Sequence, residues 1–331
     1  MGIGRKWHSF VLAFVGTALI PLIGNCASGG TSMPTATALS PTATPTVAPA
    51  KVPPTAIPRP RPTPTSPPAA TEVPHPTETA ISTVEIVEVR PVTLTIVYDN
   101  NPYDPRLRTA WGFACLVETS GATVLFDTGG DGSTLLGNME ALGIKLQAID
   151  AVVLSHIHGD HTGGLMALLS KGIMPTVFVP AAFPAGFKDS VRARTELMEV
   201  TGSAELFPGV WTTGELGSGI IEQALAIESD DGVIVITGCA HPGVVEMVRR
   251  AKEMLREPVA LVMGGFHLGS ASQSRISGII DAFHEMGVHR VAPCHCTGDR
   301  ARSMFAAAYG PGYIAAGVGR VIFVSGEPGR P

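Results

Sequence analysis

Residues 155–164 read SHIHGDHTGG, which places His156, His158, Asp160 and His161 within six positions. Imidazole and carboxylate are ordinary ligands for zinc, iron and manganese. A lone histidine is more often a satisfied core or surface residue than a ligand. Four ligand-type residues in six, after an apolar run and before two glycines, point to a metal site instead. His156 and His158 alternate on a strand-to-loop segment, so both rings can face one space. Asp160 and His161 follow at the turn into a helix expected to begin near Thr162. Two pairs from one loop can then serve two neighbouring ions. Gly159, Gly163 and Gly164 are expected to let the backbone bend around them.

The elements that must position this loop are read from residue 84 onward. VTLTIVYDN (92–100) alternates and is β-branched, as a strand does. GFACLVETSGATVLFDTGG (112–130) reads as a hairpin turning at Ser120–Gly121. Further strands are expected at 148–156, 175–180, 232–240, 258–265, 289–295 and 319–326. Helices are expected at 135–144, 162–172, 243–256, 272–287 and 299–309. Strand runs followed by alternation imply an α/β fold with two sheets, each covered by helices. Several strands end in a reactive residue: Asp127, His156, His241, His267 and His295. Reactive groups on loops at one edge of a rigid scaffold are expected to converge. His8, His75, His284 and His289 are assigned to no site.

Both the ligand motif and its partners resemble a known family. HIHGDH (156–161) resembles the His-x-His-x-Asp-His signature of the metallo-β-lactamase superfamily, and LFDTGG (125–130) resembles its usual upstream companion. The resemblance implies a four-layered αββα sandwich with a binuclear site between the sheets. It implies that His156, His158 and His241 bind one metal, and that Asp160, His161 and His295 bind the other. It gives Asp127 an orienting role behind the ligands. VYDNN (97–101), WGFACLVE (111–118), TTGEL (212–216), ITGCAHPG (236–243), GGFHL (264–268) and HCTG (295–298) occur in order. Together they look like the subfamily typified by the archaeal 7,8-dihydropterin-6-methyl-4-(β-D-ribofuranosyl)aminobenzene-5′-phosphate synthase, over about residues 92–326. One departure stands out. Where the superfamily usually carries a bridging Asp, this chain has His267, which is read as either a ligand or a general acid. Cys239, Cys294 and Cys296 are taken as packing residues, and a Cys115–Cys239 bridge stays open.

Two divalent ions about 3.5–4 Å apart can clamp a hydroxide and lower the pKa of its parent water. The leading expectation is therefore a hydrolase of a small-molecule ester, lactone or phosphoester, with zinc the favoured metal and iron or manganese the alternatives. The resemblance also admits a dihydropterin-diphosphate-dependent synthase, and a tethered, non-catalytic metal or ligand carrier is a third reading. The oxygen-reducing diiron branch of the superfamily uses Glu where this chain has His158, which disfavours a redox role. GGDGSTLLG (129–137) lacks the Lys-Ser/Thr of a phosphate-binding loop. With net charge −5 over 331 residues and no basic face, nothing marks a nucleic-acid partner. No oligomeric state is assigned.

The ends differ from this core. Residues 1–29 carry Arg5 and Lys6, then an apolar run over 9–24 broken by Pro21, the layout of an export signal. LIGNC resembles a lipoprotein signal in which Cys26 is lipidated, although Asn25 departs from the small residue usual there. Cleaved secretion and an uncleaved anchor remain alternatives. Residues 30–83 form a Pro/Thr-rich linker, and 14 of the 28 prolines fall within 31–80, with no aromatic residue among them. Such a segment buries too little apolar surface to offset its ordering entropy, and it reads as a disordered tether. The domain is expected over 84–331. If the signal acts, cell fractionation will place the protein on the extracytoplasmic side of the membrane. Recovery from the cytosol with an intact N-terminus would sink that expectation.

Overall fold

The computed structural model describes residues 90–324. The expected signal (1–29), Cys26 and the linker (30–83) lie outside the described residues. In chain order the strands are β1 (Val92–Asp99), β2 (Phe113–Glu118), β3 (Thr123–Phe126), β4 (Ala151–Val153), β5 (Thr176–Pro180), β6 (Leu197–Val200), β7 (Ala204–Phe207), β8 (Val210–Thr212), β9 (Leu225–Ser229), β10 (Gly232–Thr237), β11 (Val259–Gly265), β12 (Arg290–Cys294) and β13 (Val321–Val324). The helices are α1 (Gly132–Ala141), α2 (Gly159–Thr162), α3 (Leu165–Leu169), α4 (Ala185–Arg192), α5 (Val244–Leu255), α6 (Gln273–Glu285) and α7 (Asp299–Tyr309).

Two sheets form. One runs β13-β1-β2-β3-β4-β5-β6 and the other β12-β11-β10-β9-β8-β7. Each is antiparallel at one side and parallel at the other. In the first sheet β3, β4, β5 and β6 run parallel, and in the second β10, β11 and β12 do. Strand period two sorts the side chains between layers. On β10, Ile234 and Ile236 enter the core between the sheets with Ile96, Phe126 and Met263. Val233 and Val235 face the opposite way, onto Met247 and Val248 of α5, Ile276 and Phe283 of α6 and Phe305 of α7. On the other side Leu135 and Met139 of α1, Leu165 and Leu168 of α3 and Val191 of α4 cover the first sheet. The layers are therefore helices, sheet, sheet, helices. Burying each such Leu, Ile or Phe is worth about 1.5–3 kcal/mol.

The expected hairpin, and the strands and helices expected from residue 232 onward, form near the expected places. Three differences have local causes. The strand expected over 148–156 is only Ala151–Val153, because the Ser155 amide leaves the ladder and donates to Asp127 Oδ1 at 2.7 Å. The helix expected over 162–172 is split into α2 and α3, so Asp160 and His161 lie inside a single helical turn rather than before it. Gly163 and Gly164 are needed there for close approach, not for bending. A Cβ on them would meet Gly130 O at 2.2 Å and Thr128 O at 2.1 Å, while Gly159 faces open space. Finally, β6, β7, β8, β9 and α4 gave no clear periodic signal. Strands β6 and β7 are short and half-exposed, so their apolar residues do not alternate cleanly. Cys115, Cys239, Cys294 and Cys296 are all free, so the open Cys115–Cys239 bridge does not form.

A bulge in β1 between Ile96 and Tyr98 turns both Val97 and Tyr98 toward the helical side. The Tyr98 hydroxyl then donates to Asp131 Oδ2 at 2.9 Å. Asp131 caps α1, accepting from the Thr134 amide at 2.8 Å and the Ser133 hydroxyl at 2.7 Å. The Thr134 amide first, then the Ser133 and Tyr98 hydroxyls, hold this carboxyl below the usual carboxylate range. Asp131→Ala is expected to lower stability by about 1 kcal/mol at neutral pH. A depressed native pKa means that the contribution is present above the unfolded value of about 3.9 and is lost as pH falls through the native one. Urea melts of both proteins should therefore differ at neutral pH and converge in strong acid. A gap that stays constant across the acid range would contradict the ionic part of the cap.

Candidate metal centre

The C-terminal ends of β3, β4, β10, β11 and β12 deliver Asp127, the 155–161 loop, the 238–241 loop, His267 and His295 to one place. Among the described residues, five other than glycine take a positive φ: Asp127 (59°), Ala240 (60°), Arg256 (58°), His267 (53°) and His295 (48°). All except Arg256 lie at these strand ends. A left-handed backbone is costly for such residues and is held only where the surroundings over-determine it.

Two donor groups result. In the first, His156 Nε2 stands 3.0 Å from His158 Nδ1, and the His241 ring centroid lies 4.8 Å from those of both His156 and His158. In the second, Asp160 Oδ2 is 3.7 Å from His161 Nε2 and 3.4 Å from His295 Nε2. Two donors each about 2.0–2.1 Å from one tetrahedral ion stand roughly 3.3 Å apart, which is the spacing seen here. His241 Nε2 and His295 Nε2 are buried and without a hydrogen-bond partner. Buried polar atoms normally have one. The residues present therefore fit divalent-metal coordination.

The opposite ring nitrogens are held by oxygen. His161 Nδ1 pairs with Asp127 Oδ2 at 2.7 Å, His156 Nδ1 with Ser155 Oγ at 2.9 Å, and His295 Nδ1 with Asn100 Oδ1 at 3.0 Å. Such partners fix the tautomer and aim the free nitrogen. Ser155 Oγ itself donates to Asp127 Oδ2 at 2.7 Å. Asp127 is fully buried, behind the rings and out of reach of any substrate. Gly238 permits this contact between sheets, since a Cβ there would meet Ser155 Oγ at 2.1 Å and Asp127 Oδ2 at 2.9 Å.

Electrostatics favour the neutral ring at His156, which burial, reinforced by the neighbouring His161, holds far below the ordinary imidazole value. His241 is lowered to about 4, by burial first and then by His267. For His161 burial opposes charge, but Asp127, Asp160 and Glu222 together outweigh it and raise the ring's proton affinity. At Asp160 burial is likewise outweighed, here by His295 and His161, and its carboxyl lies below the usual range.

His267 stands apart from both donor groups. It is exposed, its ring 4.4 Å from that of His241, and its proton affinity is raised by a hydrogen bond to the Cys296 thiol. Its donor nitrogen clusters with Cys239 and Cys296 instead. The two thiols interact directly, and the Cys239 contact lowers the Cys296 thiol below the ordinary cysteine range.

Sequence reasoning missed several members of the site. Cys239, read as packing, places Sγ 3.3 Å from His161 Nε2. Its signal was alternation with His241, two residues on. Trp111 is 61% exposed, with its ring 5.0 Å from that of His295, so it presents a flat apolar face at the site's edge. Glu222 had no signal at all. It is fully buried 17 residues before Cys239, and Oε1 accepts from the Cys239 and Ala240 amides at 2.9 Å while Oε2 accepts from the His241 amide at 2.8 Å. Burial pushes its carboxyl above the usual range.

Comparison with known proteins shows which sequences and folds this chain resembles. Residues 112–251 match the family model of the metallo-beta-lactamase superfamily. The 7,8-dihydropterin-6-methyl-4-(beta-D-ribofuranosyl)-aminobenzene-5′-phosphate synthase of Methanocaldococcus jannaschii is 30% identical over 263 residues, covering 64% of this chain and 89% of the relative. A solved metal-dependent hydrolase of the beta-lactamase superfamily, Tm1679, matches with a TM-score of 0.61 at 27% identity, over 71% of this chain and all of that one (100%). The metallo-beta-lactamase fold protein YhfI from Bacillus subtilis matches with a TM-score of 0.55 at 15% identity, over 71% of this chain and 99% of its own, a likeness of fold alone.

Glu222 supplies a prediction. Glu222→Ala leaves three buried amides unpaired and is expected to cost roughly 3–5 kcal/mol, each stranded donor contributing about 1–3 kcal/mol at most. Glu222→Gln keeps an Oε1 acceptor for Cys239 and Ala240 but turns an NH2 group toward the His241 amide. It should therefore cost less than Glu222→Ala in a thermal melt and still weaken metal retention. Equal melting temperatures for the two variants would remove the three-amide account.

Proposed function

We propose that this chain, which belongs to the metallo-beta-lactamase superfamily, is a metal-dependent hydrolase of a small-molecule ester, lactone or phosphoester. The observation that carries the proposal is the pair of donor groups, each ending in a buried imidazole nitrogen with no partner of its own. In this reading His156, His158 and His241 hold one ion and Asp160, His161 and His295 the other. Zinc is the favoured metal, with iron and manganese as alternatives. When bound, a pair of such ions supplies Lewis-acid polarisation and acidifies water.

The chain's own residues do the rest. Asp127, Ser155 and Asn100 aim the rings of His161, His156 and His295 and hold the proton on the nitrogen facing away from the site. Trp111 gives a bound molecule an apolar wall beside His295. His267 is the candidate general acid, since it is exposed beside His241 and the Cys296 contact favours its protonated form. From there a proton can be delivered to a departing oxygen. The transferase activity named for the archaeal relative is the second reading, carried by that 30% identity. An exported, membrane-tethered chain, expected from residues 1–83, favours hydrolysis, because phosphorylated pterin metabolites are made in the cytoplasm. A non-catalytic carrier is the third reading.

The test is metal analysis of the full chain together with a panel of lactones, carboxylic esters, phosphodiesters and a dihydropterin diphosphate with an aminobenzene acceptor. Metal-dependent hydrolysis is expected, with His158→Ala losing one ion and activity falling by about 100-fold or more, since loss even of a ligand's outer partner costs roughly 10–100-fold. Transfer without hydrolysis would favour the synthase reading. Two bound ions with no turnover on any substrate would favour the carrier, and full activity in His158→Ala would refute the ligand assignment.

A further inference from the structure

Two clusters of potential donor atoms at the site share one residue. Asp160, His161, Cys239 and His295 offer donor atoms all within 4.8 Å of one another, and so do His156, Cys239 and His241. Cys239 is the residue that belongs to both. Its Sγ is 3.3 Å from His161 Nε2, close to the roughly 3.5 Å expected for a sulfur and a nitrogen on one tetrahedral zinc. Cys239 is 4% exposed and free of any disulfide, and its thiol also touches Cys296. Its backbone is held more firmly than packing alone would require. Glu222 grips the amides of Cys239, Ala240 and His241, and the positive φ at Ala240 swings His241 and Cys239 toward the same space. The unpartnered His295 Nε2 of the second group and His241 Nε2 of the first stand in the clusters that contain the sulfur.

We propose that Cys239 supplies a thiolate shared between the two metal ions, the bridging position for which this chain brings no carboxylate. The inference rests on the two-metal reading above. A zinc–sulfur bond is about 2.3 Å and paired ions stand about 3.5–4 Å apart, so one sulfur can reach both. The sulfur then makes a fourth protein donor beside Asp160, His161 and His295, and a further donor beside His156 and His241. A coordinated thiol gives up its proton. A soft sulfur at the centre also selects zinc or ferrous iron over manganese or magnesium. Cys296 stays outside both groups of ring donors and packs against His267.

Zinc and cobalt(II) loading of the full chain tests this without any substrate. X-ray absorption at the zinc edge is expected to give a sulfur shell at about 2.3 Å with about one sulfur per zinc. The cobalt protein should show a sulfur-to-metal charge-transfer band, retained in Cys296→Ala and lost in the near-isosteric Cys239→Ser. Manganese should bind more weakly to the wild type than to Cys239→Ser relative to zinc. The wild-type spectrum does not depend on whether either variant folds. Two bound ions with only nitrogen and oxygen neighbours would overturn the shared thiolate and leave the two-metal reading standing. Half a sulfur per zinc would assign Cys239 to one ion and overturn sharing. A band that disappears in Cys296→Ala and persists in Cys239→Ser would move the ligand to Cys296 and overturn the proposal. Failure of the wild type to hold any ion would overturn the two-metal reading and the proposal with it.

Discussion

The site depends on one buried carboxylate. Asp127 accepts three hydrogen bonds of 2.7 Å, from the Ser155 amide, the Ser155 hydroxyl and the His161 ring. These bonds do separate jobs. The amide bond ends β4 and releases the chain into the ligand loop. The hydroxyl bond fixes the Ser155 side chain that holds His156 Nδ1. The ring bond orients His161. Without a partner, so deeply buried a charge would be very costly, so the loop must fold onto it. The same group therefore stabilises the loop and sets the direction of one ring from each donor group.

That arrangement is backed by strain spread over several strand ends. Asp127, Ala240, His267 and His295 all take left-handed backbone at the site. Conformations of this kind cost of order 1–3 kcal/mol each and survive where packing leaves no alternative. Here two packed sheets and their helical covers supply that rigidity, with fully buried strands β10 and β11 on one side of the site. The parallel strands matter because they bring several C-terminal ends to the same edge. Loops leaving that edge can then converge from both sheets.

Glu222 plays for the second sheet a part comparable to that of Asp127 in the first. Both are fully buried acids that bind amides or side chains of a ligand-bearing loop. One organises residues 155–161 and the other residues 239–241. The two loops meet where Cys239 Sγ approaches His161 Nε2. The meeting point of the two loops is thus anchored from both sheets by hydrogen bonds within the protein.

Much of this protein was legible in the sequence. Period-two strands, glycine-stopped helices and the HIHGDH spacing depend on local geometry, and local geometry is written in residue order. They were enough to place the α/β layering and to bring Asp127, the 156–161 loop, His241, His267 and His295 to one edge, while the grouping of ligands came from the family resemblance. Partners that act across the fold were not legible. Glu222 meets its three amides only because β9 pairs with β10, and Asn100, which follows β1 of one sheet, meets His295, which follows β12 of the other, only because the two sheets pack together. The roles of Gly163 and Gly164 were misread because close approach is a property of two segments, whereas bending is a property of one. Cys239 looked like packing for the same reason. A lone thiol in a sequence is a small apolar residue, and it becomes a candidate ligand only when tertiary structure sets it between two groups of ring nitrogens.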